Sequence, residues 1–101
     1  MKSIYLDNSA TTKPSLSAVE AVTKGLTEIY GNPSSRHKEG IEAAKELAKA
    51  REAVAKALHV QAGTVYFTAG GTISDNIAIL GGADKHKGKH AVTTSIEHPA
   101  V

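Results

Sequence analysis

The sequence predicts an α/β protein in which helices accompany the parallel strands of an incomplete sheet. Two short runs rich in β-branched and aromatic residues, at positions 65–68 and 90–94, flank a segment with helical spacing. Strand, helix and strand within about thirty residues are typical of a right-handed βαβ unit. Two amphipathic helix patterns come before this unit, so the predicted sheet has few strands.

The first helix pattern follows a short apolar run and a polar loop. The run at positions 3–6 leads through Asp7 into residues 8–12, which are dense in hydroxyl and amide groups. Such a loop either satisfies its own backbone or lines a polar ligand, and both alternatives stay open. Pro14 is expected to open the helix and Gly31 to end it. Its apolar face consists of Leu16, Val19, Val22, Leu26 and Ile29.

A second helix is predicted over residues 36–58, after an exposed turn at 31–35. Ser34 or Ser35 is expected to cap its first turn, because a hydroxyl oxygen can accept a free N–H group there. The side chains predicted to be buried are small or branched, which would let the helix lie close to a neighbour. They are Ile41, Ala44, Leu47, Ala48, Val54, Ala55 and Leu58.

The turn after the first predicted strand is the centre of the predicted site. Gly70 and Gly71 lack a Cβ, so the backbone can bend sharply and approach another group closely. Thr72 is expected to be the N-cap of the third helix, with Asp75 completing a capping box. A helix that starts after a strand directs free N–H groups and a positive dipole end at one spot. We expect a site for an anion, most often a phosphate, although a plain capped turn has the same pattern.

A second turn, which carries His98, follows the last predicted strand. Ligands of parallel sheets gather beyond the carboxyl ends of the strands, so His98 is expected to lie near Thr72. An exposed histidine in a turn is more often a bystander than a catalyst, and this alternative stays open. The third helix is expected to end between Leu80 and His86. Its inward-facing side chains are predicted to be Ile73, Ile77 and Leu80.

Composition and charge exclude several classes of function. The net charge of +2 is too small to indicate nucleic-acid or membrane-surface binding. No apolar run approaches the ~18 residues of a membrane span, and no signal peptide is evident, so the cytoplasm is the expected location. Without cysteine, the chain has no disulfide and no thiol chemistry of its own. The remaining histidines have no spacing typical of a metal site.

Four segments, in this order, resemble one family. They are residues 5–12 (Tyr-Leu-Asp-Asn-Ser-Ala-Thr-Thr), 30–37 (Tyr-Gly-Asn-Pro-Ser-Ser-Arg-His), 67–72 (Phe-Thr-Ala-Gly-Gly-Thr) and 95–101 (Ser-Ile-Glu-His-Pro-Ala-Val). Together they resemble the N-terminal part of the cysteine desulfurases of the NifS/IscS type. These are pyridoxal-phosphate enzymes of the class V aminotransferase group, with the type I fold of PLP-dependent transferases.

The resemblance implies a cofactor, a reaction and a set of residues. Gly71 and Thr72 would contact the phosphate of pyridoxal 5′-phosphate, and the loop at 8–12 would border the substrate pocket. His98 would stack on the cofactor ring and act as an acid or base in cleavage of the C–S bond. L-cysteine would become L-alanine, with the sulfur transferred to an enzyme cysteine. The enzyme would be a cytoplasmic homodimer that supplies a sulfur acceptor or scaffold protein for iron–sulfur cluster or thio-cofactor assembly.

The resemblance also implies which parts of such an enzyme this chain lacks. Residues 1–31 would be the N-terminal arm and helix, and residues 32–101 the start of the large cofactor-binding domain. In the family, the Schiff-base lysine, the aspartate that pairs with the pyridine nitrogen and the persulfide-bearing cysteine all lie downstream of residue 101. We therefore expect an N-terminal fragment, produced by truncation or by an interrupted reading frame, that is inactive alone.

The turn proposed to hold the cofactor departs from the family at two positions, 73 and 75. The family usually continues Gly-Thr-Glu-Ser-Asn-Asn where residues 71–76 are Gly-Thr-Ile-Ser-Asp-Asn. Ile73 removes a carboxylate from the first helical turn, and Asp75 is expected to restore one two residues later. The loss should therefore cost less than about 1 kcal/mol at an exposed helix end.

Two alternatives to a desulfurase stay open. The chain would equally suit another class V enzyme, such as a selenocysteine lyase or a transaminase, since the discriminating residues lie downstream. It would also suit a non-catalytic interaction module that folds against a partner, because apolar helix faces outnumber the strands available to cover them. A stable, cooperative monomer would favour the module, and an aggregating or molten chain would favour a portion of an enzyme.

We predict that the 101-residue chain has no desulfurase activity and forms no specific cofactor adduct. None of its ten lysines takes the place of the missing one, and it has no cysteine. The measurement is incubation with pyridoxal phosphate, reduction with borohydride and mass spectrometry. A stoichiometric adduct on one particular lysine would contradict the prediction.

Overall fold

A computed structural model describes residues 3–85, 88 and 90–101, and these contain three α-helices. In chain order they are α1 (Leu16–Thr27), α2 (Lys38–Ala57) and α3 (Gly71–Lys85), with one turn of 3-10 helix at Ala62–Thr64. The three helices predicted from apolar periodicity are therefore confirmed. Helix α3 ends within the predicted interval, of which His86 lies outside the described residues. None of the described helices is both long and apolar enough to cross a lipid bilayer.

The chain divides into two compact units, one ending at Ala62 and the other beginning at Gly63. The first unit contains α1 and α2, and the second contains α3 and the residues after it. The arm and domain predicted over residues 1–31 and 32–101 stay a prediction.

The predicted parallel sheet is not confirmed. Residues 65–68 and 90–94, predicted as strands, have no regular secondary structure, and no strand occurs elsewhere in the part of the chain that the structure describes. A strand forms its hydrogen bonds with other strands, and a sheet of only two is at best marginally stable in water. The sequence contains residues that favour strands, but too few predicted strands to form a stable hydrogen-bonded sheet.

Helix α1 is shorter at both ends than predicted. Ser15 caps it, because its hydroxyl oxygen accepts the N–H group of Ala18 at 3.2 Å, so Pro14 lies outside the helix. At the other end, α1 stops at Thr27, before Gly31. The glycine at 31 serves close packing instead of helix termination. A Cβ at Gly31 would lie 3.0 Å from the backbone nitrogen of Gly40 and closer still to the backbone carbonyl of Glu39.

Helix α2 begins at Lys38 with His37 as its N-cap, so the prediction of a serine cap was wrong. The Nδ1 atom of His37 lies 3.4 Å from the backbone nitrogen of Gly40 and 3.0 Å from Oε2 of Glu39. It accepts the Gly40 N–H group when it is unprotonated and donates to Glu39 when it carries the proton. The pKa of Glu39 is lowered, first because its carboxylate accepts its own backbone N–H and second because it bonds to His37.

The serines at 34 and 35 lie in the turn before α2, three and two residues ahead of the N-cap position, so they do not cap the helix. The N–H group of Ser34 donates to Oδ1 of Asn32, and that of Ser35 donates to the carbonyl of Asn32, both at 2.9 Å. This turn packs directly on Gly40, where a Cβ would lie 2.7 Å from the carbonyl oxygen of Asn32 and closer still to that of Ser35.

The end of α2 agrees with the sequence prediction. Its C-cap is Leu58, and His59 follows in the left-handed region with φ of 55°. The N–H groups of His59 and Val60 donate to the carbonyls of Lys56 and Ala55 at 3.3 and 2.9 Å. This pair of bonds is the Schellman motif, which satisfies the last carbonyls of a helix.

Few apolar side chains of the described residues are buried. Ala43 and Ala55 of α2 are 7% and 3% exposed. Ala55 belongs to the stripe predicted for α2, but the larger members of that stripe, among them Ile41 and Leu58, are exposed. The side chains of α3 predicted to face inward, Ile73, Ile77 and Leu80, are exposed as well. The prediction of inward-facing stripes on α2 and α3 was therefore largely wrong, because the described residues form no sheet for these side chains to pack on.

We predict that Gly40→Ala destabilises the first unit by about 1–3 kcal/mol, because its Cβ would overlap backbone atoms that cannot move aside without opening the turn. The matched control is Gly25→Ala in α1, where a Cβ meets no atom within 4 Å. That variant should gain about 0.5–1 kcal/mol from its higher helix propensity. Urea denaturation followed by circular dichroism measures both changes. Equal effects of the two substitutions would contradict the prediction.

Candidate functional site

The expected anion site lies at the start of α3, where one detail of the prediction was wrong. Helix α3 begins at Gly71, so Thr72 is its second residue and not its N-cap. The first helical bond runs from the N–H group of Ser74 to the carbonyl of Gly70 at 3.1 Å, two residues earlier than predicted. Asp75 consequently lies beyond the first turn, which contains no acidic residue. The predicted capping box is absent, and Asp75 does not restore a first-turn carboxylate.

Three backbone N–H groups precede the first helical bond of α3. They belong to Gly71, Thr72 and Ile73, and no carbonyl lies one turn earlier in the helix to accept them. Thr72 is exposed and adds a hydroxyl group. A Cβ at Gly70 or Gly71 would meet no atom within 4 Å, so no packed side chain or backbone lies against the Cβ side of these two glycines.

These features fit the phosphate of the cofactor that the family resemblance implies. Free N–H groups at a helix N-terminus point toward an anion, and the helix dipole favours negative charge there. No carboxylate in the first turn of α3 repels it. These neutral donors, together with the hydroxyl of Thr72, suit a phosphate, and their role in holding one stays a prediction.

Two hydroxyl groups close the turn before α3, a role that residue spacing did not predict. Thr68 donates to the carbonyl oxygen of Gly70 at 3.0 Å, and Ser74 Oγ lies 3.3 Å from the same oxygen. The two hydroxyl oxygens are 2.7 Å apart. We call these two hydroxyls and the Gly70 carbonyl the Thr68–Ser74 clasp. The sequence signal for this role was one hydroxyl residue before the glycines and one after them. Only a tight turn brings these two residues together.

His98 is exposed and lies between two short turns of the second unit. Its Nδ1 atom accepts the N–H group of Ala100 at 3.1 Å, and its carbonyl accepts that of Val101 at 2.9 Å. In the neutral ring, the proton therefore resides on Nε2. No hydrogen bond in the described part of the chain joins His98 to Thr72. The expected placement of these two residues about one ligand stays a prediction.

The polar loop at residues 8–12 belongs to the first unit and bonds largely to itself. The N–H groups of Ala10 and Thr11 donate to the carbonyl of Asp7 at 3.2 and 3.3 Å. The hydroxyl of Thr12 donates to the carbonyl of Asn8 at 3.4 Å. The loop thus satisfies its own backbone, and a role at the substrate pocket stays a prediction.

Comparisons with known proteins agree with the resemblance. The NifS/IcsS protein homolog of Lactobacillus delbrueckii subsp. bulgaricus is 48% identical over 100 residues, which cover 97% of this chain and 26% of that protein. Cysteine desulfurase IscS of Methanosarcina thermophila is 47% identical over 102 residues, or 99% of this chain and 25% of that protein. A cysteine desulfurase of Nostoc sp. is 47% identical over 103 residues, or 100% of this chain and 26% of that protein. No solved structure matches the chain significantly.

The match covers nearly all of this chain but a minor part of each relative. The chain spans about a quarter of the length of the curated relatives it matches. The family model described as Aminotransferase class-V matches residues 4–101. The chain therefore belongs to the class V aminotransferase family.

Proposed function

We propose that this chain is the N-terminal, phosphate-binding portion of a pyridoxal-phosphate-dependent cysteine desulfurase. The reaction converts L-cysteine to L-alanine and transfers the sulfur to an enzyme cysteine. The observation that supports this most is the start of α3, where the N–H groups of Gly71 and Thr72 and the hydroxyl of Thr72 are open to an anion. The relatives that are named cysteine desulfurase support the choice of reaction.

In this proposal, the residues of α3 hold the phosphate. Gly71 and Thr72 donate their N–H groups to its oxygens, and the Thr72 hydroxyl donates a further bond. The dipole of α3 contributes about 0.3–1 kcal/mol at an exposed helix end. When bound, pyridoxal phosphate supplies an electron sink for the bonds that break at the substrate.

His98 covers the cofactor ring and moves a proton in this proposal. Its Nδ1 atom accepts the N–H group of Ala100, so the neutral ring presents Nε2–H as a donor to the ligand. His98 can take up a proton only at Nδ1, once that bond opens. The bond at Nδ1 also fixes the tautomer and restrains the rotation of the ring. Histidine suits this role because its imidazole changes charge near neutral pH.

The exposed apolar faces of α1 and α3 support a further part of the proposal. Leu16 and Leu26 of α1, and Ile77 and Leu80 of α3, would pack on other segments of the enzyme. Residues 65–68 and 90–94 would then join the parallel sheet of the type I fold. The complete enzyme would be a cytoplasmic homodimer that delivers sulfur to an acceptor or scaffold protein.

The proposed reaction is tested by reading the coding DNA beyond Val101 and expressing any in-frame continuation. We expect the longer protein to release alanine from L-cysteine and to retain the sulfur on a cysteine of its own. The 101-residue chain, assayed in parallel, is the control and should be inactive. Formation of a keto acid would identify a transaminase, and turnover of L-selenocysteine alone would identify a selenocysteine lyase. Either result would overturn the proposal.

We also predict that Ile73→Glu is more stable than Ile73→Gln by about 0.3–1 kcal/mol, because a carboxylate in the first turn of α3 interacts favourably with the positive end of the helix dipole. Ile73 is 50% exposed, so both substitutions lose similar and modest burial. The advantage of glutamate should disappear in high salt and when the carboxylate is protonated at low pH. The measurement is urea denaturation of both variants. Equal stability at low salt and neutral pH would contradict the prediction.

A further inference from the structure

We infer that Thr68 and Ser74 are positioning residues for the phosphate, because the Thr68–Ser74 clasp sets the direction of the Gly71 N–H group. The inference rests on the proposed function, and it concerns two residues for which the family resemblance implied no role. Neither residue needs to touch the phosphate. They act through the carbonyl of Gly70, which lies within hydrogen-bond distance of both hydroxyls and accepts the backbone N–H group of Ser74.

The first step of the argument is the planarity of the peptide bond. The carbonyl of Gly70 and the N–H group of Gly71 belong to one peptide unit, and the described residues contain no cis peptide bond. In a trans peptide, the C=O and N–H vectors point in opposite directions. The clasp and the Ser74 N–H group hold the Gly70 oxygen toward the helix. The Gly71 N–H group is therefore held pointing away from the helix, where a phosphate would bind.

The second step is the conformational freedom of the two glycines. Gly70 and Gly71 have no side chains that restrict their backbone, and no atom lies where a Cβ would be. Without further bonds, the peptide between them would be free to rotate, and its N–H group would have no fixed direction. The clasp ties this peptide both to Thr68, two residues before Gly70, and to the first turn of α3. Together with the backbone bond from Ser74, it supplies the restraint that the glycines lack.

The third step is a count of protons within the clasp. Each hydroxyl has one proton, whereas three contacts join Thr68, Ser74 and the Gly70 oxygen. In one arrangement, Thr68 donates to Gly70 and Ser74 donates to Thr68. In the other, Ser74 donates to Gly70 and Thr68 donates to Ser74. The Gly70 oxygen receives one hydroxyl proton in either case. Removal of one hydroxyl therefore leaves a hydroxyl bond in place, whereas removal of both leaves only the backbone bond from Ser74.

The test compares the affinities of pyridoxine 5′-phosphate and pyridoxine, measured by NMR titration of the chain. These probes lack the aldehyde, so they form no imine with lysines, and their affinity ratio isolates the contribution of the phosphate. We expect Thr68→Val and Ser74→Ala each to lower the ratio by about twofold or less. The double variant should lower it by about fivefold, more than the product of the single effects. Thr68→Ser, which keeps the hydroxyl, should retain the parent ratio.

The matched control is Thr23→Val, which removes a hydroxyl that donates to the carbonyl of Val19 at 2.9 Å within α1. It should leave the ratio unchanged. A purely structural role of the clasp would weaken both probes equally and leave the ratio constant in the double variant. That result, with a parent that prefers the phosphorylated probe, would overturn the inference and leave the proposed function intact. If the parent chain instead binds pyridoxine 5′-phosphate no more tightly than pyridoxine, the proposed function is overturned, and with it the inference that Thr68 and Ser74 position the phosphate.

A second measurement needs no ligand. The residual dipolar coupling of the Gly71 N–H bond should resemble those of Thr72 and Ile73 in the parent. It should be smaller in the double variant, in which only the backbone N–H group of Ser74 still holds the Gly70 carbonyl. An unchanged coupling would overturn the inference. If the double variant loses α3, the exchange variant Thr68→Ser with Ser74→Thr keeps both hydroxyls and takes its place. It should retain the coupling and the affinity ratio of the parent, and loss of either would count against the clasp.

Discussion

The described part of this chain is held together by hydrogen bonds between residues that are close in sequence, because very little apolar surface is buried. Ser15 caps α1, His37 caps α2, and the carbonyl of Gly70 begins α3. A large apolar side chain contributes about 1.5–3 kcal/mol when it is fully buried, but those of α1 and α3 are exposed. Local hydrogen bonds therefore determine which parts of the structure form. The predicted strands and buried helix faces, which need partners distant in sequence, do not form in the described residues.

This division explains how much could be predicted from the sequence. The helices were predicted correctly because a period of 3.6 residues is a local property of the chain. Their first residues were predicted less well, because neighbouring groups compete to be the cap. Thr72 has a better capping side chain than Gly70. The N–H group of Ser74 nevertheless donates to the carbonyl of Gly70, so the helix begins before Thr72. The strands depend on partners, which no pattern within residues 65–68 can supply.

The same division runs through the candidate site. The donors for the phosphate come from adjacent residues, Gly71 and Thr72, and the start of α3 is enough to present them. The placement of His98 over the same ligand requires two turns to meet at one sheet edge. That is a non-local requirement, and the bonds of His98 go to its own turn, at Ala100 and Val101. The phosphate half of the site thus follows from local structure, whereas the ring half depends on the assembled sheet.

The energies of the site lead to one further step. An exposed helix dipole contributes about 0.3–1 kcal/mol, and each hydrogen bond to a charged group about 1.5–3 kcal/mol. With the dipole, two or three such bonds total about 3–10 kcal/mol, and the cost of association, about 4–15 kcal/mol, offsets most or all of it. In the proposed function, the start of α3 alone would therefore hold a cofactor weakly. Its part would be to fix the direction from which the ring extends, and tighter binding would need further contacts.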